Sequence, residues 1–181
     1  LVLPGGLAVG ADSHTCTYGA MGVFAFGIGS TDMSGVMLTG KLWLRVPGTM
    51  KVIFRGGMPE GVSSKDLMLN FIGKIGADGA DYLALSFSGD TVKAMSLSER
   101  MTLSNMAIEC GAKAGLVASD EKTAAHLKAL GKGEGSPAYD DDDAVFDRVL
   151  EIDASKVPPQ VALPHSVDSA VPVTEAAGTE V

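Results

Sequence analysis

Apolar positions recur along the chain with two periods, and the elements they predict alternate accordingly. "GLAVGADSH" reads as a short buried strand entering a polar loop. The Gly-, Ala- and Met-rich run "YGAMGVFAFGIGSTDMSGVMLTGKLW" predicts tightly packed buried helices, one capped by Ser30 and running to about Leu38. "KLWLRVPGTMKVIFRG" reads as two strand-like pieces broken at Pro47-Gly48, and a change of composition places a domain boundary near Val46. Helical spacing returns in "SSKDLMLNFIGKIG", with Ser63 or Ser64 as cap, Asp66 in the first turn and apolar residues through Ile75. "YLALSFSGDTVKAMS" alternates like a pair of strands around Gly89.

The clearest helix is "SLSERMTLSNMAIECGAKAG", capped near Ser96 or Ser98 and stopped by Gly111 or Gly115. "SDEKTAAHLKALG" adds another between Ser119 and Gly131. The loop "GKGEGSPAYDDDDA" follows, then a strand in "VFDRVLEID" and extended, proline-punctuated chain in "VPPQVALPHSVDSAVPV". No internal repeat is present. Strands alternating with helices imply an α/β fold, with a sheet covered on both faces.

Composition narrows the function classes. The chain has 181 residues, 46% of them apolar and 20% charged, which supports a packed core. Its net charge of −8, from 14 basic and 22 acidic residues, argues against nucleic-acid and anionic-membrane partners, which need clustered Lys and Arg. No apolar run approaches the ~20 residues of a membrane span, and the opening "LVLPGGLAVG" lacks the basic region of a signal peptide. Cys16 and Cys110 stand far apart and read as reduced thiols in a cytoplasmic protein. The chain, which begins without Met, reads as cut from something longer.

Two polar clusters carry candidate chemistry. In "GADSHTCTYGA", Asp12 and His14 would share a face of extended chain with Ser13 pointing away, an arrangement suited to an Asp–His proton relay. The plain alternative is a turn satisfied by its own hydrogen bonds. In "SNMAIE", Asn105 and Glu109 sit four residues apart on one predicted helix face among apolar neighbours, so they project either into a site or into solvent. Two nucleotide signatures fail: "GIGSTD" has Asp32 where the third Gly of a dinucleotide fingerprint belongs, and "GVMLTGKL" has Leu42 where a P-loop needs a hydroxyl. His126 reads as a surface residue, His165 has no visible partner, and Asp140–Asp143 read as a solvated loop rather than a calcium site.

"ADSHTCTYGAMGVFAFGIGSTDM", "KLWLRVPGTMKV" and "MTLSNMAIECGAKAGLV", in that order, resemble the aconitase superfamily from about Leu7 to Pro164, most nearly its branch of isopropylmalate dehydratase and prokaryotic homoaconitase large subunits. The resemblance implies three-layer α/β/α domains: residues 1–46 ending a first, 47–158 forming most of a second, and 159–181 beginning a third. It implies a [4Fe–4S] hydro-lyase acting on a branched hydroxy acid such as 3-isopropylmalate, an iron acting as Lewis acid on the departing hydroxyl. Asp12 and His14 then match the family's Asp–His pair near that hydroxyl, Ser13 its substrate-contacting Ser, and Asn105 and Glu109 the Asn and Glu near the iron-bound oxygens.

The cluster's cysteines are expected downstream, so Cys16 and Cys110 are assigned no iron and this stretch alone no metal and no activity. A small subunit or swivelling domain would supply the catalytic base. Ser104 stands where members often carry Cys. Two rival readings compete: a cluster-free scaffold or regulatory module, and a metal-dependent hydrolase built on Asp12, His14 and Glu109, which the absence of a zinc spacing disfavours.

Overall fold

A computed structural model describes residues 2–178. Its strands are β1 (Leu7–Gly10), β2 (Phe24–Gly27), β3 (Thr49–Arg55), β4 (Ala84–Ser88), β5 (Ala114–Val117), β6 (Arg148–Asp153), β7 (Gln160–Ala162) and β8 (Ala170–Pro172). Its helices are α1 (Ser30–Thr39), α2 (Ser64–Ile75), α3 (Asp90–Ala94), α4 (Leu97–Asn105) and α5 (Glu121–Ala129). The longer 3-10 segments are Ser13–Met21, between β1 and β2, and Met106–Cys110, directly after α4.

The fold is α/β. A parallel sheet in the order β5-β4-β3-β6 takes its strands from residues 49–153, β1 pairs with β2 in parallel, and β7 with β8 antiparallel. Alternation decides the buried side: Met50, Val52 and Phe54 of β3 face inward with Leu85 and Phe87 of β4 and Ile152 of β6. They pack with Leu67, Met68, Phe71 and Ile72 of α2 and Leu103 of α4 in one core cluster. α2 starts where its sequence says, at a capping box in which Ser63 and Asp66 satisfy each other's backbone N–H groups. Burial pushes the Asp66 carboxyl up, but the Ser63 hydroxyl and the Gln160 and Ser63 N–H groups outweigh it and hold it below its ordinary value.

Several expected elements differ. The small-residue run at 18–43 forms no buried helix: part of it is strand β2, and α1, capped by Gly29, buries none of its side chains. Its small residues instead serve the 3-10 segment, where backbone must approach backbone. A methyl group on Gly19 would drive into the Gly115 carbonyl oxygen, and one on Gly27 would come within 2.6 Å of the Asp12 carbonyl. Of the two strand-like pieces around Pro47-Gly48 only the second is a strand; Trp43 and Val46 lie 84% exposed. The pair of strands around Gly89 is one strand, β4, followed by α3, with Gly89 at the start of the helix in a conformation (φ 106°) that L side chains rarely adopt. Residues 114–117 are strand β5 where the sequence suggests only a helix stop, and α5 is capped by Asp120 rather than Ser119.

α3, α4 and α5 are tied together by one ion pair, buried at its Arg100 end and partly open at Asp120. Arg100, 1% exposed, donates from Nη2 to Asp120 Oδ2 at 2.6 Å and to the Lys93 carbonyl at 3.2 Å, and from Nε to the Val92 carbonyl at 3.2 Å. Desolvation pushes the Asp120 carboxyl up, but Arg100 and the Thr123 and Lys122 N–H groups hold it below the usual carboxylate range. A carboxyl depressed in the folded state contributes stability above its unfolded pKa, near ~3.9, and loses it as pH falls through the folded value. Asp120→Asn keeps a helix cap but removes the charge. It should lower unfolding free energy at pH 7 by about 3 kcal/mol, the lower end of what an unpaired buried charge costs. Urea titrations should find that difference shrinking below about pH 4.

Both thiols are buried, Cys16 1% and Cys110 0% exposed. Cys16 Sγ donates to the Ser13 and Asn105 carbonyls at 3.6 and 3.5 Å, and Cys110 Sγ to the Ala107 carbonyl at 3.2 Å. Burial is the main cause that pushes them up to about 11 and about 12. Iodoacetamide labelling read by peptide mass spectrometry should leave both cysteines unmodified in the folded protein and label both in denaturant; modification of either at the denatured rate would contradict this.

Candidate active site

The first polar cluster is organised by Asp12. From extended backbone (φ −126°, ψ 131°) it caps the 3-10 segment Ser13–Met21, its Oδ1 accepting the His14 N–H at 2.6 Å. Thr15 closes the same turn, donating from its N–H and Oγ1 to the Asp12 carbonyl at 3.1 and 2.7 Å. The triplet therefore does not lie in extended chain, and Asp12 and His14 do not share a strand face. A 3-10 turn of three residues brings the Ser13 hydroxyl to 3.1 Å from His14 Nδ1, whereas Asp12 Oδ1 is 3.9 Å away and engaged by backbone.

The second cluster also departs from a single helix face. α4 ends at Asn105, the chain tightens into the 3-10 segment Met106–Cys110, and Glu109 belongs to that segment. Both side chains nevertheless turn toward the first cluster. Glu109 Oε1 lies 3.4 Å from His14 Nε2, and Asn105 Nδ2 donates to Thr17 Oγ1 at 2.9 Å. Thr17 Oγ1 donates in turn to the His14 carbonyl at 2.7 Å. Two motifs about ninety residues apart in sequence thus form one site. Asp12, Ser13, His14, Asn105 and Glu109 all belong to it.

His14 and Glu109 are each about two-fifths exposed, 44% and 40%, so the pair is open to solvent on one side. Asn105 and Glu109 line a cleft of about 710 Å³ whose other walls include Lys65, Leu69, Gln160 and Val161. Ser13 lines a second cleft of about 320 Å³ with Gly27, Ile28 and Lys113. The Lys113 ammonium sits 4.3 Å from the Phe26 ring centre, and desolvation lowers its pKa. Chemically, the arrangement places a hydroxyl on one imidazole nitrogen and a carboxylate beside the other. Such a ring can hold a proton at Nε2 and deliver it to a group in the adjoining cleft.

Sequence reasoning missed Thr17, Lys65 and Lys113. Thr17 had a signal, since a residue three positions after His14 returns to the same side of a 3-10 turn. The two lysines had none, because only the fold brings them to the clefts. His126 is exposed on α5, and His165 lies outside the cluster, exposed in the β7–β8 connection. Residues 35–39 of the failed P-loop match lie in α1.

The residues present do not fit an iron–sulfur cluster. Both thiols are buried, bonded to carbonyls and held protonated, and among the described residues no three His, Cys, Asp or Glu side chains are grouped to hold a metal ion. Asp12, His14 and Glu109 make no such group for a hydrolytic metal either. Ser104, where members of the resembling family often carry Cys, is fully buried, and its Oγ finds no hydrogen-bond partner among the described residues.

Known proteins share this sequence along nearly its whole length. The model of the aconitase family (aconitate hydratase) matches residues 1–180. The chain is 50% identical over 175 residues, 97% of its length, to the 3-isopropylmalate dehydratase large subunit of Halothermothrix orenii, covering 42% of that protein. It is 54% identical over 177 residues to 3-isopropylmalate dehydratase large subunit 1 of Methanopyrus kandleri, 98% of the chain and 42% of the relative. Against the large subunit of Oleidesulfovibrio alaskensis the identity is 50% over 181 residues, the whole chain and 43% of the relative. The chain spans about two-fifths of the length of these curated relatives. Matched in this way by the family's model and by these large subunits, the chain belongs to the aconitase family.

Proposed function

We propose that the intact protein is a hydro-lyase of the 3-isopropylmalate dehydratase type, a cytoplasmic enzyme of leucine biosynthesis that removes water from a branched hydroxy acid and adds it back. The observation that carries this reading is the meeting of His14 Nε2 with Glu109 Oε1 at 3.4 Å beside two open clefts. Family membership and the names of the relatives support it. A departing hydroxyl needs a proton, and His14 supplies it from Nε2 while Glu109 shares it. Asp12 fixes the turn that presents the ring, and Ser13 and Asn105 bind substrate oxygens.

The [4Fe–4S] cluster of this reading takes its ligands from outside this chain, since neither Cys16 nor Cys110 is offered to it. A small subunit or swivelling domain brings the catalytic base. Residues 1–46, 47–158 and 159–181 belong to three successive domains, a division supported by sheets that do not cross those limits.

Steady-state kinetics of the full-length protein with its small-subunit partner test the assignment. His14→Ala should lower kcat by about 10²–10⁴-fold with a much smaller change in KM, and Glu109→Gln and Asp12→Asn should lower it in the same sense. Near-normal turnover in both His14→Ala and Glu109→Gln would overturn the assignment.

A further inference from the structure

The cleft of about 710 Å³ that Asn105 and Glu109 share draws its charges from two elements. Glu109 comes from the 3-10 segment after α4, and Asp66 and Lys65 come from the first turn of α2. Asp66 is engaged locally. Its Oδ2 accepts the Ser63 N–H and hydroxyl at 2.8 and 2.6 Å, and its Oδ1 the Gln160 N–H at 2.7 Å. Lys65 is the one cation among the lining residues; it is exposed and enters none of the ion pairs among the described residues.

The placement of Lys65 runs against the local rule for helices. It is the second residue of α2, at the positive end of the macrodipole, where a cation is disfavoured; Lys74, in the last turn, stands where the dipole favours one. A residue that breaks a local rule with no structural return marks a functional position. Lys65 and Leu69, four residues apart, share a face of α2, and both line this cleft. The charge has a use there. Asp12 and Glu109 repel an incoming anion, so a hydroxy acid needs a cation in the cleft to offset them. Lys113 does not serve this cleft: its ammonium lies 4.3 and 5.6 Å from the Phe26 and Tyr82 ring centres, in the neighbouring clefts that Glu109 does not line.

We propose that Lys65 is a substrate-binding residue of the candidate active site, its ammonium holding a carboxylate of the hydroxy acid in the cleft that Asn105 and Glu109 line. This rests on the hydro-lyase reading and adds to it the group that receives the acid's charge. Lys65 takes no part in the proton transfer at His14, so its contact is made equally in the ground state and the transition state and acts on KM rather than on kcat.

The test uses the full-length protein with its small-subunit partner, with 3-isopropylmalate as substrate. Lys65→Met, which keeps the stem and removes the charge, should raise KM by about 10–100-fold and leave kcat within about threefold of the parent. Lys65→Arg, which restores a cation, should keep KM within about threefold. Binding of isopropylsuccinate, which has both carboxylates and no hydroxyl, should weaken in Lys65→Met by the same factor when followed by ligand-observed NMR. Turnover by the parent with KM unchanged in Lys65→Met overturns the proposal alone. So does a KM raised equally in Lys65→Met and Lys65→Arg, or a loss confined to kcat. Absence of turnover in the parent overturns the hydro-lyase reading, and the proposal with it.

Discussion

Two stretches of backbone lie against each other with no side chain between them, and the rest of the site hangs on that contact. Gly19 faces the Gly115 carbonyl oxygen, and on its other side Gly115 lies against Ala107 and Ser104; an added methyl would come within 2.7 Å of the Ala107 Cβ. β5 thus lies against both the segment carrying His14 and the stretch that leads from the end of α4 to Glu109, and those two also touch each other directly through Cys16, Thr17 and Asn105. Interiors pack near crystal density and transmit a displacement rather than absorb it. Bulk at position 19 or 115 would separate the two segments and open the 3.4 Å contact between His14 and Glu109.

The second half of the site is held from behind. α4 begins at a capping box, Ser96 with Glu99, and is anchored one residue later by Arg100, whose charge reaches across to Asp120 at the head of α5. Lys122, two residues into that helix, donates to the carbonyls of Lys93, Ala94 and Met95 and so satisfies the end of α3. Each of these links uses one residue to terminate one element and begin another. Asn105 therefore projects from a helix whose first turn is fixed by charge and whose last turn is fixed by its hydrogen bond to Thr17.

How much of this could be read from residues alone varied with the kind of signal. α2 was legible to its ends because Ser63 and Asp66 form a capping box and its apolar spacing is strong; β6 was legible because "VFDRVLEID" is bounded by turn residues. β2 and β5 were not, because four-residue strands of Gly, Ala, Leu, Val and Phe, buried by their neighbours, have no periodicity to show. The small residues before α1 suggest helix packing but serve loop-to-strand contact. In the candidate site, the residues singled out by type, Asp12, Ser13, His14, Asn105 and Glu109, do converge. Their pairing was not legible: a turn of three residues per cycle exchanged Asp12 for Ser13 at Nδ1, and only the fold could bring Glu109 to Nε2.

The strand order carries a consequence for how the chain is made. β3 is central in the sheet, yet one of its neighbours, β6, is the last of the four strands to be synthesised, with Met50 opposite Arg148 and Arg55 opposite Asp153. Until residue 153 leaves the ribosome, one whole edge of β3 presents unpaired N–H and C=O groups, a template for any other extended chain. The nascent protein must carry an open sheet through the synthesis of β4, α3, α4, β5, α5 and the long loop after them. Closure comes from a contact between residues nearly a hundred positions apart, the kind that forms slowly.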